Sequence, residues 1–145
     1  MKKVLVLLGP NLNLLGRREP EVYGSRTLEE VMSGLGEEAT ALGIEIEVFQ
    51  SNHEGVLVDR IQEARERFDG ILFNPGGFSH TSVALRDAVA ACGLDVILVH
   101  LSNTWAREPF RRREVVGPAC RGAILGLGEA GFSAGLCVFR RIWPD

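Results

Sequence analysis

The chain has 145 residues, a length that suits a single domain with one substantial core. Apolar residues make up 46% and charged residues 24%, which excludes a disordered segment, and a net charge of −3 offers no general attraction to nucleic acid or an anionic membrane. The three cysteines, Cys92, Cys120 and Cys137, are odd in number and form no C-x-x-C pair, so they read as thiols of a reducing compartment, the cytoplasm, rather than a disulfide framework or zinc site.

The amino-terminal run from Met1 to Leu8 faintly imitates a secretion signal, but it is short and breaks at Gly9-Pro10, so a buried strand over Lys3–Leu8 is expected. No run approaches the ~20 apolar residues of a membrane span. Lys2 and Lys3, just ahead of this strand, are the only lysines among 16 basic residues. A Schiff base, a pyridoxal site or a phosphate-loop lysine would each need one deeper in the chain.

From Gly9 to Gly24 neither helical nor strand period is visible, and a strand-to-helix loop of that length is expected to act as a lid. It holds the only tyrosine, Tyr23. A helix follows, with Leu28, Val31, Met32, Leu35, Ala39 and Leu42 at helical spacing and a T-x-x-E capping box formed by Thr27 and Glu30. The next strand spans Glu45–Gln50. His53 comes after it and reads as structural. A second helical stripe runs Leu57, Ile61, Ala64, Phe68, before a strand at Gly70–Phe73. Asn74 to Ser82 then place two glycines and several hydroxyls ahead of a helix from Val83 to Ala91, a setting that favours anions. The strand Val96–His100 precedes an arginine-rich segment, and a last strand, Ala123–Leu127, leads into a helix carrying Phe132, Leu136, Phe139 and Trp143.

Five strands alternating with helices predict one doubly wound α/β domain over residues 1–145, with a parallel sheet in the flavodoxin-like order 2-1-3-4-5. In such sheets a ligand crevice lies beyond the carboxyl ends of the strands, where the order reverses. Residues after strands one, three and four therefore face one another. Singly they are unremarkable: an arginine run is usually a solvated face, a lone histidine a satisfied structural group, an asparagine a turn cap. Convergence on one crevice is what suggests chemistry. Arginines and Ser102 suit a carboxylate, and Asn74 and His80 suit hydroxyl groups. Tyr23 becomes a base if its pKa falls from about 10, which Arg17 or Arg18 beside it would favour. His100 suits a proton donor near neutral pH.

Competing motifs are weaker. Gly126-x-Gly128-x-x-Gly131 matches a dinucleotide fingerprint, but too little chain follows for a second strand and an acidic ribose ligand, so close strand–helix packing is the better reading. No G-x-S-x-G elbow occurs. His53, His80 and His100 lack the spacing of a helical metal pair, and no metal or other cofactor is expected. A flavin carrier on this fold would want a hydroxyl-rich loop after strand one, which is missing.

In this order, the segments GPNLNLLGRREPEVYG, QSNHEG, NPGGFSHTSVALRD, VHLSN and AREPFR resemble type II 3-dehydroquinate dehydratase over nearly the whole chain. The resemblance implies conversion of 3-dehydroquinate to 3-dehydroshikimate and water in the shikimate or quinate pathway, through an enolate, without cofactor or Schiff base, by trimers assembled into dodecamers. By matching position it implies that Tyr23 is the base, Arg18 the lid arginine that activates it, and Asn11 the holder of an enolate-stabilising water. His100 is the implied acid. Asn74, His80, Leu101, Ser102 and Arg111 are implied to bind substrate, Arg107 to serve the lid, and Asp87 to reach a neighbouring subunit's site. One departure matters most. The family pattern has glutamate two residues before the histidine, fixing and charging the ring, and here that position is Leu98, on the same sheet face as His100. Arg113-Glu114 also replaces a common His-Ser pair, and Trp105 a smaller residue or histidine. Either Glu114 or Glu108 could supply the carboxylate from elsewhere. The alternative is a weak or inactive homologue that only binds a cyclic hydroxy acid.

Overall fold

The computed structural model describes residues 1–17 and 19–144. Five parallel strands, β1 (Lys2–Leu8), β2 (Ile44–Gln50), β3 (Gly70–Asn74), β4 (Asp95–His100) and β5 (Gly122–Leu125), form one sheet in the order β2-β1-β3-β4-β5. The expected topology is the observed one.

β1 lies inside the sheet, between β2 and β3, and is apolar on both faces. Val4, Val6 and Leu8 enter one layer, with Val31, Leu35, Phe132 and Leu136 from helices α2 (Leu28–Ala41) and α5 (Ala130–Ile142). Leu5 and Leu7 enter the other, with Leu57, Ile61, Leu85 and Val89 from α3 (Glu54–Ala64) and α4 (Val83–Cys92). Alternating side chains thus feed two cores from one strand. Each fully buried Leu or Phe there contributes on the order of 1.5–3 kcal/mol relative to exposure.

Local signals set the helix starts. Thr27 Oγ1 accepts from the Glu30 amide at 3.3 Å while the Thr27 amide donates to Glu30 Oε1 at 3.4 Å, completing the capping box of α2. Ser82 caps α4 by accepting from the Leu85 amide at 2.9 Å, and its hydroxyl donates to Glu54 Oε2 at 2.6 Å. Two expectations need correction. The last strand ends at Leu125, not Leu127, because Gly126 turns the chain at φ 86°. The Gly9–Gly24 loop is also not devoid of structure: it contains a 3-10 turn at Leu12–Leu14 and a short helix, α1 (Pro20–Tyr23), started by proline. Gly131 fits the packing reading of its motif, since a Cβ there would lie 3.1 Å from Val99 Cγ1. Among the described residues no helix is long and apolar enough to cross a membrane.

Candidate active site

At the carboxyl rim, Leu8 of β1 pairs with Asn74 of β3. Beyond them the chains nearly touch: the Gly9 amide donates to the Asn74 carbonyl at 2.8 Å, and a Cβ on Gly9 would stand 2.6 Å from the Pro75 carbonyl carbon. Only glycine allows that approach. It holds the loops after β1 and β3 together as two walls of one cavity, and the segment after β4 closes the third side.

The cavity has a volume of about 340 Å³, at the scale of a small-molecule site. Asn11, Asn74, His80, His100, Leu101, Ser102, Arg107 and Arg111 all line it, so eight of the expected site residues, separated widely in sequence, meet in one place. Asp87 does not join them. It sits on α4 beside a separate hollow with Gln62 and Arg65. Tyr23 ends α1, but its side chain, like Arg18 as a whole, lies outside the described residues.

Hydrogen bonds fix what each group offers. Asn11 adopts the left-handed conformation at φ 69°, tolerable for asparagine, and its amide donates to Asn52 Oδ1 at 3.0 Å. Gln50 Nε2 donates to the Gly9 carbonyl and to Asn52 Oδ1, both at 3.1 Å, so the end of β2 buttresses this loop. Asn74 Oδ1 accepts from the Gly76 amide at 3.0 Å, which orients its NH2 as the free donor. His80 Nδ1 lies 2.8 Å from the Arg113 carbonyl. A carbonyl only accepts, so Nδ1 carries a proton. Ser102 Oγ accepts from Arg107 at 3.3 Å, leaving its own O–H to donate.

His100 is 7% exposed. Its Nε2 lies 2.9 Å from Ser79 Oγ and 3.4 Å from Glu114 Oε1. Of the two glutamates that could approach, Glu108 does not: it pairs with Arg111, whose contact holds the Glu108 carboxyl below its ordinary range. Glu114 does. Ser79 had no role in the sequence reading, because nothing local in NPGGFSHTS distinguishes its hydroxyl from those of Thr81 and Ser82. Phe110, likewise unanticipated, lines the cavity and sets its ring edge-on to His80 with centroids 6.5 Å apart. Lys2 and Lys3 sit at the opposite end of β1, paired with Asp69 and Glu45 at 3.9 Å each. Strand rise puts them roughly 20 Å from the rim.

The chain is similar to known proteins along nearly its whole length. The family model Dehydroquinase class II matches residues 2–140. The 3-dehydroquinate dehydratase of Bacillus licheniformis is 53% identical over 139 residues, covering 96% of this chain and 96% of that protein. The 3-dehydroquinate dehydratase of Geotalea daltonii is 53% identical over 141 residues, covering 97% and 98%. The crystal structure of type II dehydroquinase from Butyrivibrio crossotus superposes with a TM-score of 0.93 at 43% identity, over 94% of this chain and 96% of the other.

Proposed function

The chain belongs to the class II dehydroquinases, and we propose that it dehydrates 3-dehydroquinate to 3-dehydroshikimate with Tyr23 as base and His100 as acid. The observation that carries the reading is the meeting of Asn11, Asn74, His80, His100, Ser102 and Arg111 around one small cavity.

The C2 proton of the substrate is acidified by the neighbouring C3 ketone. The Tyr23 phenolate removes it, and the C2–H electrons move into the carbonyl to give an enolate. Arg18, two residues before the start of α1, favours the phenolate by opposite charge. A water held by Asn11 stabilises the enolate oxygen. The enolate then collapses: its electrons form the C1=C2 bond, the C1 hydroxyl departs, and the His100 imidazolium protonates it as water. Solvent resets both groups, and the reaction as written uses no cofactor. Arg111 and the Ser102 hydroxyl suit the carboxylate, Asn74 and His80 the ring hydroxyls. The position of Lys2 and Lys3, far from the cavity, supports a route without a Schiff base. Nothing among the described residues of the site favours a protein that binds without turnover.

Residues 1–145 act as a single catalytic domain in this reading, working in the cytoplasm. Trimers assembled into dodecamers would bring Asp87 of one chain to a neighbour's cavity. The test is incubation of purified protein with 3-dehydroquinate while the ultraviolet band of the conjugated enone is followed, with and without borohydride. Turnover that borohydride leaves intact, and that Tyr23→Phe abolishes, is expected. Binding of substrate with no enone, or inactivation by borohydride, refutes the reading.

A further inference from the structure

The glutamate expected on β4 is replaced by Leu98, which is 1% exposed on the same sheet face as His100. A carboxylate nevertheless reaches the ring. Glu114 stands between the 3-10 turns Pro109–Arg112 and Gly117–Ala119. Its Oε2 accepts from the amides of Val116 at 3.0 Å and Gly117 at 2.9 Å. Its Oε1 is left to face His100 Nε2 at 3.4 Å. The main chain therefore aims the carboxylate.

Leu98 and Glu114 share one small space. A Cβ on Gly117 would lie 2.5 Å from Glu114 Cγ and 3.3 Å from Leu98 Cδ2. The glycine makes room for the Glu114 side chain, and Leu98 packs beside it. Burial alone would raise the Glu114 carboxyl, but the His100 contact and the Gly117 and Val116 amides outweigh burial and hold it below its ordinary range. Cys120, next to Glu114, has its thiol pushed up to about 12 by burial and by the Glu114 charge, so it stays neutral.

We propose that Glu114 is the positioning residue for His100, fixing the ring and favouring its protonated form from a different element than the strand position now held by Leu98. The proposal rests on His100 being the acid. Other groups facing the ring are His80, stacked at 6.1 Å, the Ser79 hydroxyl, and Arg107 and Arg111 across the cavity. Among the described residues Glu114 is the one carboxylate in contact with the imidazole. Ser79 and Glu114 both engage Nε2, so on this proposal the proton given to the substrate leaves from Nδ1.

The test measures kcat and KM against pH for the wild type, Glu114→Gln, Glu114→Asp, Glu114→Ser and the double variant Leu98→Glu with Glu114→Ser. Glutamine keeps an oxygen for the two amides but removes the charge. Its kcat should fall on the order of 10- to 100-fold, a part of the ~10²–10⁴-fold that general acid catalysis supplies. KM should stay within about threefold, and the alkaline limb of the kcat profile should move to lower pH. Glu114→Asp, which keeps the charge but withdraws it from the ring, should also lose kcat, and it decides the matter should the glutamine variant not fold. The double variant should recover about tenfold or more over Glu114→Ser. Wild-type kcat and an unmoved alkaline limb in a folded glutamine or aspartate variant overturn this inference alone, whereas a wild type that does not turn over overturns the functional reading with it.

Discussion

The rings of His80 and His100 lie parallel, with centroids 6.1 Å apart and planes inclined by 10°, yet they are anchored differently. His80 gives its Nδ1 proton to the Arg113 carbonyl, whereas His100 turns Nε2 toward Ser79 and Glu114. One ring is tied to main chain and suited to holding a substrate hydroxyl. The other is tied to a carboxylate and suited to giving up a proton. His80→Ala should therefore raise KM about tenfold, the loss of one hydrogen bond, with a smaller change in kcat. Steady-state kinetics of the variant checks this; a large fall in kcat with unchanged KM would reverse the roles.

Leu98→Glu alone should bring no gain. With Glu114 already at Nε2, a second carboxylate from β4 would meet the first at close range, where one of the two favours its neutral form. Unchanged or lower kcat is expected, whereas a rise of about tenfold would mean that Glu114 leaves the histidine unsupported.

Arg107 joins the segment after β1 to the cavity wall. Its Nη2 lies 3.4 Å from Glu19 Oε2, beside α1, while Nη1 donates to Ser102 Oγ at 3.3 Å. The arginine side chain is 13% exposed and the glutamate 43%, so the ion pair itself should be worth no more than about 1 kcal/mol. Glu19→Gln should then change kcat/KM by less than about fivefold. Arg107→Lys gives up the planar fork that faces Glu19, Ser102 and Glu108, and a fall on the order of tenfold or more is expected. Equal effects of the two substitutions would place the importance of Arg107 in the ion pair alone.

Acid should weaken the fold partly through Glu114 and Asp95. At Asp95 burial acts to raise the carboxyl, but hydrogen bonds from Trp143 at 2.8 Å and Arg121 at 2.9 Å outweigh it, so both groups lie below their ordinary values of 4.5 and 3.8. A depressed carboxyl contributes stability that is complete above its unfolded value and is lost as pH falls through the lower folded value. Thermal melting from about pH 6 down to about pH 3 should show a falling midpoint, and Asp95→Asn should flatten part of that fall while lowering the midpoint near neutrality. A midpoint with the same pH dependence in wild type and variant would remove Asp95 from the account.

Much of this molecule is legible locally. Apolar runs such as Val96 to Val99 mark buried strands, Thr27 and Glu30 mark a helix start, and the alternation of elements leads to the sheet order. The rim residues follow from that order, because a parallel sheet sends every strand's end the same way. What escaped are contacts made by folded loops. Ser79, His100 and Glu114 meet across three segments, and no periodicity connects positions 79, 100 and 114. In the sequence Leu98 leaves a carboxylate missing and Glu108 and Glu114 are equal candidates for it; the turns at Pro109–Arg112 and Gly117–Ala119 direct one to Arg111 and the other to His100. Hydropathy carries β5 on to apolar Leu127, past Gly126, where backbone conformation stops the strand.

The proposed division of labour between Tyr23 as base and His100 as acid is tested most directly with 3-dehydroquinate deuterated at C2. Exchange of that label with solvent and formation of the enone would be followed together in the wild type, His100→Ala and Tyr23→Phe. His100→Ala should release deuterium faster than it makes enone, since the phenolate still forms the enolate but the hydroxyl leaves without its proton donor. Enone formation by His100→Ala at the wild-type rate, or label exchange undiminished in Tyr23→Phe, would contradict it.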